Sequence, residues 1–158
     1  MRVGITGHRG LSREVERQVR QLLEEAIRDL NPTELIGISC IADGPDSWFA
    51  EAVLKHGGSL EVVVPAEQYR KNLPEAHWPV YDDLLRHATE VHHTDMTASD
   101  SQAHMAGSEI LVGLSDELLA VWDGKPAWGY GGTADVVSYA QQNGVPVHVL
   151  WPEGATRE

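Results

Sequence analysis

The sequence predicts an α/β fold: a single Rossmann-like, doubly wound domain spanning residues 1–158, with a mostly parallel sheet of about six strands and helices on both faces. Three observations carry this. Short apolar runs alternate with helix-period segments along the whole chain, the pattern of parallel strands joined by crossover helices. The run Leu60 to Val64 is apolar apart from Glu61, as in a strand covered on both faces. The length of 158 residues fits one domain with one core, since domains commonly run roughly 100 to 200 residues.

Each element has its own local cause. Arg2 to Thr6 reads as the first strand, followed by a helix from about Ser12 to Leu30. There Val15, Val19, Leu22, Ala26 and Leu30 form an apolar stripe, while Arg13, Glu16, Arg17 and Arg20 stay in water. Asn31-Pro32 stops that helix. The second strand is Glu34 to Ile41; Gly44-Pro45 opens a helix through about His56, and Gly57-Gly58 ends it. After the third strand, Leu60 to Val64, the stretch Ala66 to Val80 is irregular and broken by Pro74 and Pro79. It reads as a long surface excursion suited to a lid, with a short helix at Tyr81 to Ala88. A strand at Glu90 to His93, a helix from about Ser99 to Gly113, a strand Leu118 to Trp122, a helix Thr133 to Asn143 and a strand Val145 to Trp151 complete the chain. Three strands, a long connection and three more strands suggest the sheet order 3-2-1-4-5-6, with a ligand crevice at the carboxyl ends of strands one and four.

Composition narrows the partners. Twelve Lys plus Arg against 24 Asp plus Glu give a formal net charge of −12, which repels polyanions, so no broad nucleic-acid surface is expected. A local anion pocket is compatible with that charge. The one cysteine, Cys40, lies in an apolar run; it suits a small core residue and a reducing compartment. No apolar stretch approaches the roughly 18 residues of a membrane span, so the expectation is a cytoplasmic protein with no membrane partner.

Three loops follow strand ends on the side where such folds bind ligands. The most informative runs from Asp123 to Asp135. Here Gly129, Tyr130, Gly131, Gly132 and Thr133 form a glycine-rich turn that opens a helix, offering backbone N–H groups and a positive dipole end to a phosphate. A tight turn with a Thr cap is the plainer alternative. In the first loop, Gly7 and Gly10 let the backbone approach a ligand, and Arg9 can grip phosphate with two donors. His8 beside it is either a surface hydrogen-bonder or an acid–base group. In the second loop Ser39 and Ala42 are small, Gly44 permits close approach, and Asp43 or Asp46 can accept from ribose hydroxyls; for Asp46, a first-turn acid favoured by the helix dipole alone is the competing explanation. Trp78, Tyr81, Trp128 and Tyr130 are candidates for stacking on a base or for packing surface loops.

Other chemistries find less support. His92 and His93 are neighbours on a strand and point to opposite faces, so they do not join Asp95 and His104 around one ion. Neither a P-loop nor the GxGxxG fingerprint is present, and Gly-x-Ser-x-Gly is absent. Nothing in the residues calls for a cofactor.

Gly4-Ile5-Thr6-Gly7-His8-Arg9, Ser39-x-x-Ala42-x-Gly44-x-Asp46, and Trp122-Asp123-Gly124 followed by Gly131-Gly132-Thr133 together resemble the SLOG superfamily, which gathers DprA-like proteins, LONELY GUY phosphoribohydrolases and YpsA-like proteins. The resemblance implies a Rossmann-like domain that binds nucleotides or their derivatives, often as a homodimer, with the glycine-threonine segment on phosphate. LONELY GUY enzymes carry Pro-Gly-Gly-x-Gly-Thr-x-x-Glu, and the place of their catalytic glutamate is taken here by Val136. The nearest acid is Asp135, about 100° around the helix. The sequence therefore favours a nucleotide-binding module. The alternatives are an N-glycosidase for nucleoside 5′-monophosphates, with Asp123 or Asp135 as its carboxylate, and an interaction protein with a degenerate pocket.

Overall fold

A computed structural model describes residues 1–127 and 129–157. Its elements in chain order are β1 (Arg2–Gly7), α1 (Arg13–Arg28), β2 (Ile36–Ser39), α2 (Pro45–Lys55), β3 (Ser59–Val64), α3 (Tyr69–Asn72), α4 (Trp78–Arg86), β4 (Ala88–His93), α5 (Ser101–Leu114), β5 (Glu117–Val121), α6 (Thr133–Gln142) and β6 (Val147–Val149). All six strands pair in parallel, in the order β4-β3-β2-β1-β5-β6. The α/β reading of the sequence holds.

The strand order differs from the expected one at a single element. β4 extends the first half at its outer edge beside β3 instead of returning to flank β1. The chain comes back across the sheet one helix later, through α5, and β5 pairs with β1 from Val3↔Glu117 to Gly7↔Val121. The reversal of direction, where such sheets bind ligands, therefore lies between β1 and β5.

Helix α1 starts on a Ser12 cap, whose Oγ accepts from Val15 N at 3.2 Å, and carries Glu14 and Glu16 at its positive end. Its deepest stripe is Val15, Val19, Leu23 and Ile27; Leu22, Ala26 and Leu30 flank it, because steps of four residues drift around the helix and the apolar face is two residues wide. With Phe49 and Val53 of α2 and Val3 and Ile5 of β1, this stripe fills one face of the sheet. The opposite face is filled by α5 and α6 through Leu111, Val112, Val136 and Ala140.

The stretch after β3 is not the surface loop its irregular pattern suggests. Tyr69, Leu73 and Tyr81 are buried in the core, and α4 begins at Trp78, three residues earlier than expected. Arg70 holds Asp82 with two bonds of 2.8 Å and lies over the Trp78 ring, whose Nε1 donates to Arg70 O at 2.7 Å. His77 reaches the β2–α2 loop, its Nε2 3.0 Å from Ile41 O and 3.2 Å from Ser47 Oγ. A segment fastened this way is a wall rather than a lid. Among the described residues, no helix is long and apolar enough to cross a membrane.

Candidate functional site

A cavity of about 340 Å³ opens at the carboxyl ends of β1 and β5, within the usual range of roughly 300 to 1,000 Å³ for small-molecule sites. All three loops singled out in the sequence contribute to it: Gly7, His8 and Arg9 from the first, Ala42 and Asp46 from the second, Gly129, Gly131, Gly132 and Thr133 from the third. Ile5, Leu111 and Val136 give it apolar wall.

The glycines are there for space and for backbone conformation. A Cβ on Gly7 would come within 2.9 Å of both Pro45 and Val121, so the strand end and α2 approach closely only because none is present. Gly131 has φ +85°, and a Cβ there would sit 2.9 Å from Ser101 O. The turn is locked further by the Asp135 carboxylate, which accepts from Gly131 N at 2.9 Å. Gly132 then caps α6. The N–H groups of Thr133 and Ala134, in the first turn of α6, meet no acceptor among the described residues.

Beside this turn lies a buried charged group. His8 is 5% exposed; its Nδ1 lies 2.8 Å from Arg157 Nη1, and its Nε2 lies 3.2 Å from both the Asp123 backbone N–H, which donates to it, and Asp123 Oδ1. Burial, assisted by the Arg157 charge and resisted by Asp123, holds the His8 pKa below its ordinary value, leaving the ring neutral at pH 7. Burial pushes Asp123 the other way, yet Lys125 N–H, His8 and Arg157 together hold its carboxyl below the usual range. Asp123 does not itself line the cavity.

The β2–α2 loop works differently. Ser39 is fully buried; its Oγ donates to Asp46 O and accepts from Ile41 N, both at 2.9 Å. That hydroxyl organises the loop and does not reach the cavity, which corrects its expected ligand role. Gly44, φ +97°, makes the turn into α2 and also lies off the cavity. Asp46 does line it, with one long bond from Ala42 N at 3.4 Å, and burial pushes its carboxyl up to about 7. Arg9 is engaged at the rim, with Nε and Nη2 on Asp43 Oδ1 at 3.0 and 2.6 Å.

Several expectations are corrected here. Tyr130 is 63% exposed and lies off the cavity; Tyr81 is buried in the core; Trp78 is spent on Arg70. Trp128 lies outside the described residues. Both candidate catalytic acids are engaged elsewhere, Asp123 with His8 and Asp135 with the Gly131 turn, while Val136, where a LONELY GUY enzyme has its glutamate, does face the cavity. Sequence reading missed Tyr69, His104, Ser108 and Arg157 as cavity-lining residues. His104 and Ser108, four apart on α5, share a helix face, which is a readable signal once α5 is placed beside β1; Arg157, arriving from beyond β6, belongs to no motif.

No protein-family model and no curated protein sequence matches the chain. Solved structures do. DNA processing protein A (DprA) from Streptococcus pneumoniae superposes with a TM-score of 0.69 at 17% identity, covering 97% of this chain and 51% of that one. DprA from Helicobacter pylori, described for its single-stranded DNA binding mode, gives 0.72 at 17% identity over 100% and 68%. The molybdenum cofactor carrier protein of Chlamydomonas gives 0.56 at 15% identity over 94% and 74%. This chain thus spans about half the length of the pneumococcal protein. The first two structures also correct the expectation of no broad nucleic-acid surface: the fold supports single-stranded DNA binding in the Helicobacter protein, and net charge sums over a whole surface whereas binding depends on where the cations sit. The fold of this chain is a Rossmann-like fold, which it shares with DprA and the molybdenum cofactor carrier.

Proposed function

We propose that this chain binds a nucleotide or nucleotide-derived ligand in the cavity between β1, β5 and α6, with a phosphate on the turn from Gly129 to Thr133. The observation that carries this reading is the open first turn of α6. Two N–H donors there meet no acceptor among the described residues, at the positive end of a ten-residue helix and on the wall of a ligand-sized cavity. Arg9, held on Asp43 at the cavity rim, is placed to turn from that carboxylate to a phosphate. Binding without turnover is favoured over cleavage of the base–ribose bond, because neither Asp123 nor Asp135 lines the cavity and position 136 carries valine.

The test is thermal stabilisation of the purified chain by a panel of nucleotides, the matching nucleosides and a single-stranded oligonucleotide, with each sample assayed for released base. Stabilisation by nucleotides, weaker with nucleosides and without released base, is the expected result. Arg9→Ala should weaken it about tenfold, the scale of one charge-assisted contact. Gly132→Asp should abolish it, since its side chain would crowd Ala127, 2.8 Å from the Cβ position, and place an anion at the phosphate turn. Released base would favour the hydrolase. Indifference to every nucleotide would remove the phosphate site.

A further inference from the structure

The β2–α2 loop is built with strain and then fastened. Ile41 has φ +48°, a left-handed conformation that is an outlier for a β-branched residue, and its side chain is fully buried. Three side chains hold it there: Ser39 Oγ accepts from Ile41 N, Ser47 Oγ donates to Ala42 O at 2.6 Å and approaches Ile41 O at 3.3 Å, and His77 reaches Ile41 O from the neighbouring segment. Strain of this kind persists only where the surroundings over-determine it. Here it sets the position of one side chain at the cavity, Asp46, whose backbone carbonyl is bound by Ser39 Oγ.

Asp46 is unusual in having so little to bind. A carboxylate can accept about four hydrogen bonds. Among the described residues the Asp46 carboxylate has one, at 3.4 Å, while the neighbouring Asp43 takes the Arg9 guanidinium. We infer that the Asp46 carboxylate receives the vicinal 2′- and 3′-hydroxyls of a ribose, so that the cavity selects ribonucleotides over 2′-deoxyribonucleotides; this rests on the nucleotide reading above. Two O–H donors on adjacent carbons match the two oxygens of one carboxylate. A loop after the second strand of a doubly wound sheet is also where acidic side chains meet ribose hydroxyls in dinucleotide sites. The Ser39 and Ser47 hydroxyls of that loop are spent on its shape, whereas Asp46 lines the cavity.

The experiment compares matched ribo- and 2′-deoxyribonucleoside monophosphates by calorimetry on the wild type and on Asp46→Asn. The wild type should prefer the ribonucleotide by about tenfold or more, the scale of one hydrogen bond to a charged group. Asp46→Asn, which keeps size and one acceptor, should bring the ratio near one through loss of ribonucleotide affinity. The ratio should also rise between pH 6 and pH 8 as Asp46 ionises. The deoxyribonucleotide cancels titration of the phosphate and the shared influence of the groups around Asp46, namely Asp43 in the same loop, Arg9 on the loop after β1, and Cys40 and Tyr69, which also line the cavity. Equal binding of both sugars, or a preference that survives in Asp46→Asn, overturns the inference and leaves the nucleotide reading standing. Absence of binding by either overturns both.

Discussion

Two aspartates sit on different sides of the site, Asp123 beside the cavity-lining His8 and Asp46 on the cavity wall itself, and they respond to pH in opposite directions. On the β1–β5 side, Asp123 is enclosed by Lys125 N–H, His8 and Arg157, which hold its carboxyl below the usual carboxylate range, while burial holds His8 below the ordinary histidine range. Both groups bind fewer protons folded than unfolded. Their contribution is present above the unfolded values and is lost as pH falls, first from about 6.5 for His8 and then below about 4 for Asp123. On the β2–α2 wall, Asp46 is lifted from 3.8 to about 7 and binds more protons folded than unfolded. Its contribution is greatest below about 4 and is lost as pH rises through 7. The charged form of Asp123 is supported by its surroundings, whereas the charged form of Asp46 is disfavoured by them.

The sharpest way to break this contrast is to remove the partnered acid. Asp123→Ala removes the buried carboxylate that the Arg157 guanidinium and the neutral His8 ring face, and takes away the acceptor of Lys125 N–H. Breaking a buried charged group from one side costs about 3 to 5 kcal/mol. Urea unfolding at pH 7 should show a loss of that order. A change below 1 kcal/mol would mean that the β1–β5 wall does not depend on this carboxylate.

Asp46→Asn should act with the opposite sign. The amide needs no ionisation, so the variant should be more stable than wild type by about 1 to 3 kcal/mol at pH 8, at roughly 1.4 kcal/mol per unit of pKa displacement and allowing for partial exposure. The difference should shrink toward zero as pH falls well below 4, where the wild-type carboxyl is protonated in both states. In a domain of this size that is a rise in Tm of several degrees at pH 8. A variant less stable than wild type at both pH values would assign Asp46 to the scaffold after all.

How legible these walls were in the sequence follows from what made them. Local signals carried the elements: Gly44-Pro45 opens α2 at Pro45, and Thr133 starts α6, both at the expected residue. The placement of β4 had no such signal, because Ala88–His93 is short, polar and exposed, and which strand it joins was decided by how far α3 and α4 carry the chain. Tyr69, Leu73 and Tyr81 were misread because a four-residue helix and a 3-10 turn scatter their apolar residues off any single period. Ser39 was correctly seen as small and polar, but whether its hydroxyl faces the ligand or the loop depends on a backbone turn at Ile41 that no residue type announces.

The smallest expected effect tests whether the segment after β3 supports the Asp46 wall. His77 is the cross-link between them, with Nε2 within hydrogen-bond distance of Ile41 O and Ser47 Oγ. Ser39 and Ser47 hold the same loop from within, so His77→Ala should cost only about 1 kcal/mol, the net worth of one hydrogen bond. What it should change is local opening. Backbone amides of the loop from Ile41 to Ser47 should exchange with solvent several-fold faster, while those of β1 and β5 keep their protection. Faster exchange at the loop, with the Asp46 pKa drifting down toward ordinary values as the carboxyl gains water, would tie the strained turn, the segment that braces it and the titration of that acid into one unit.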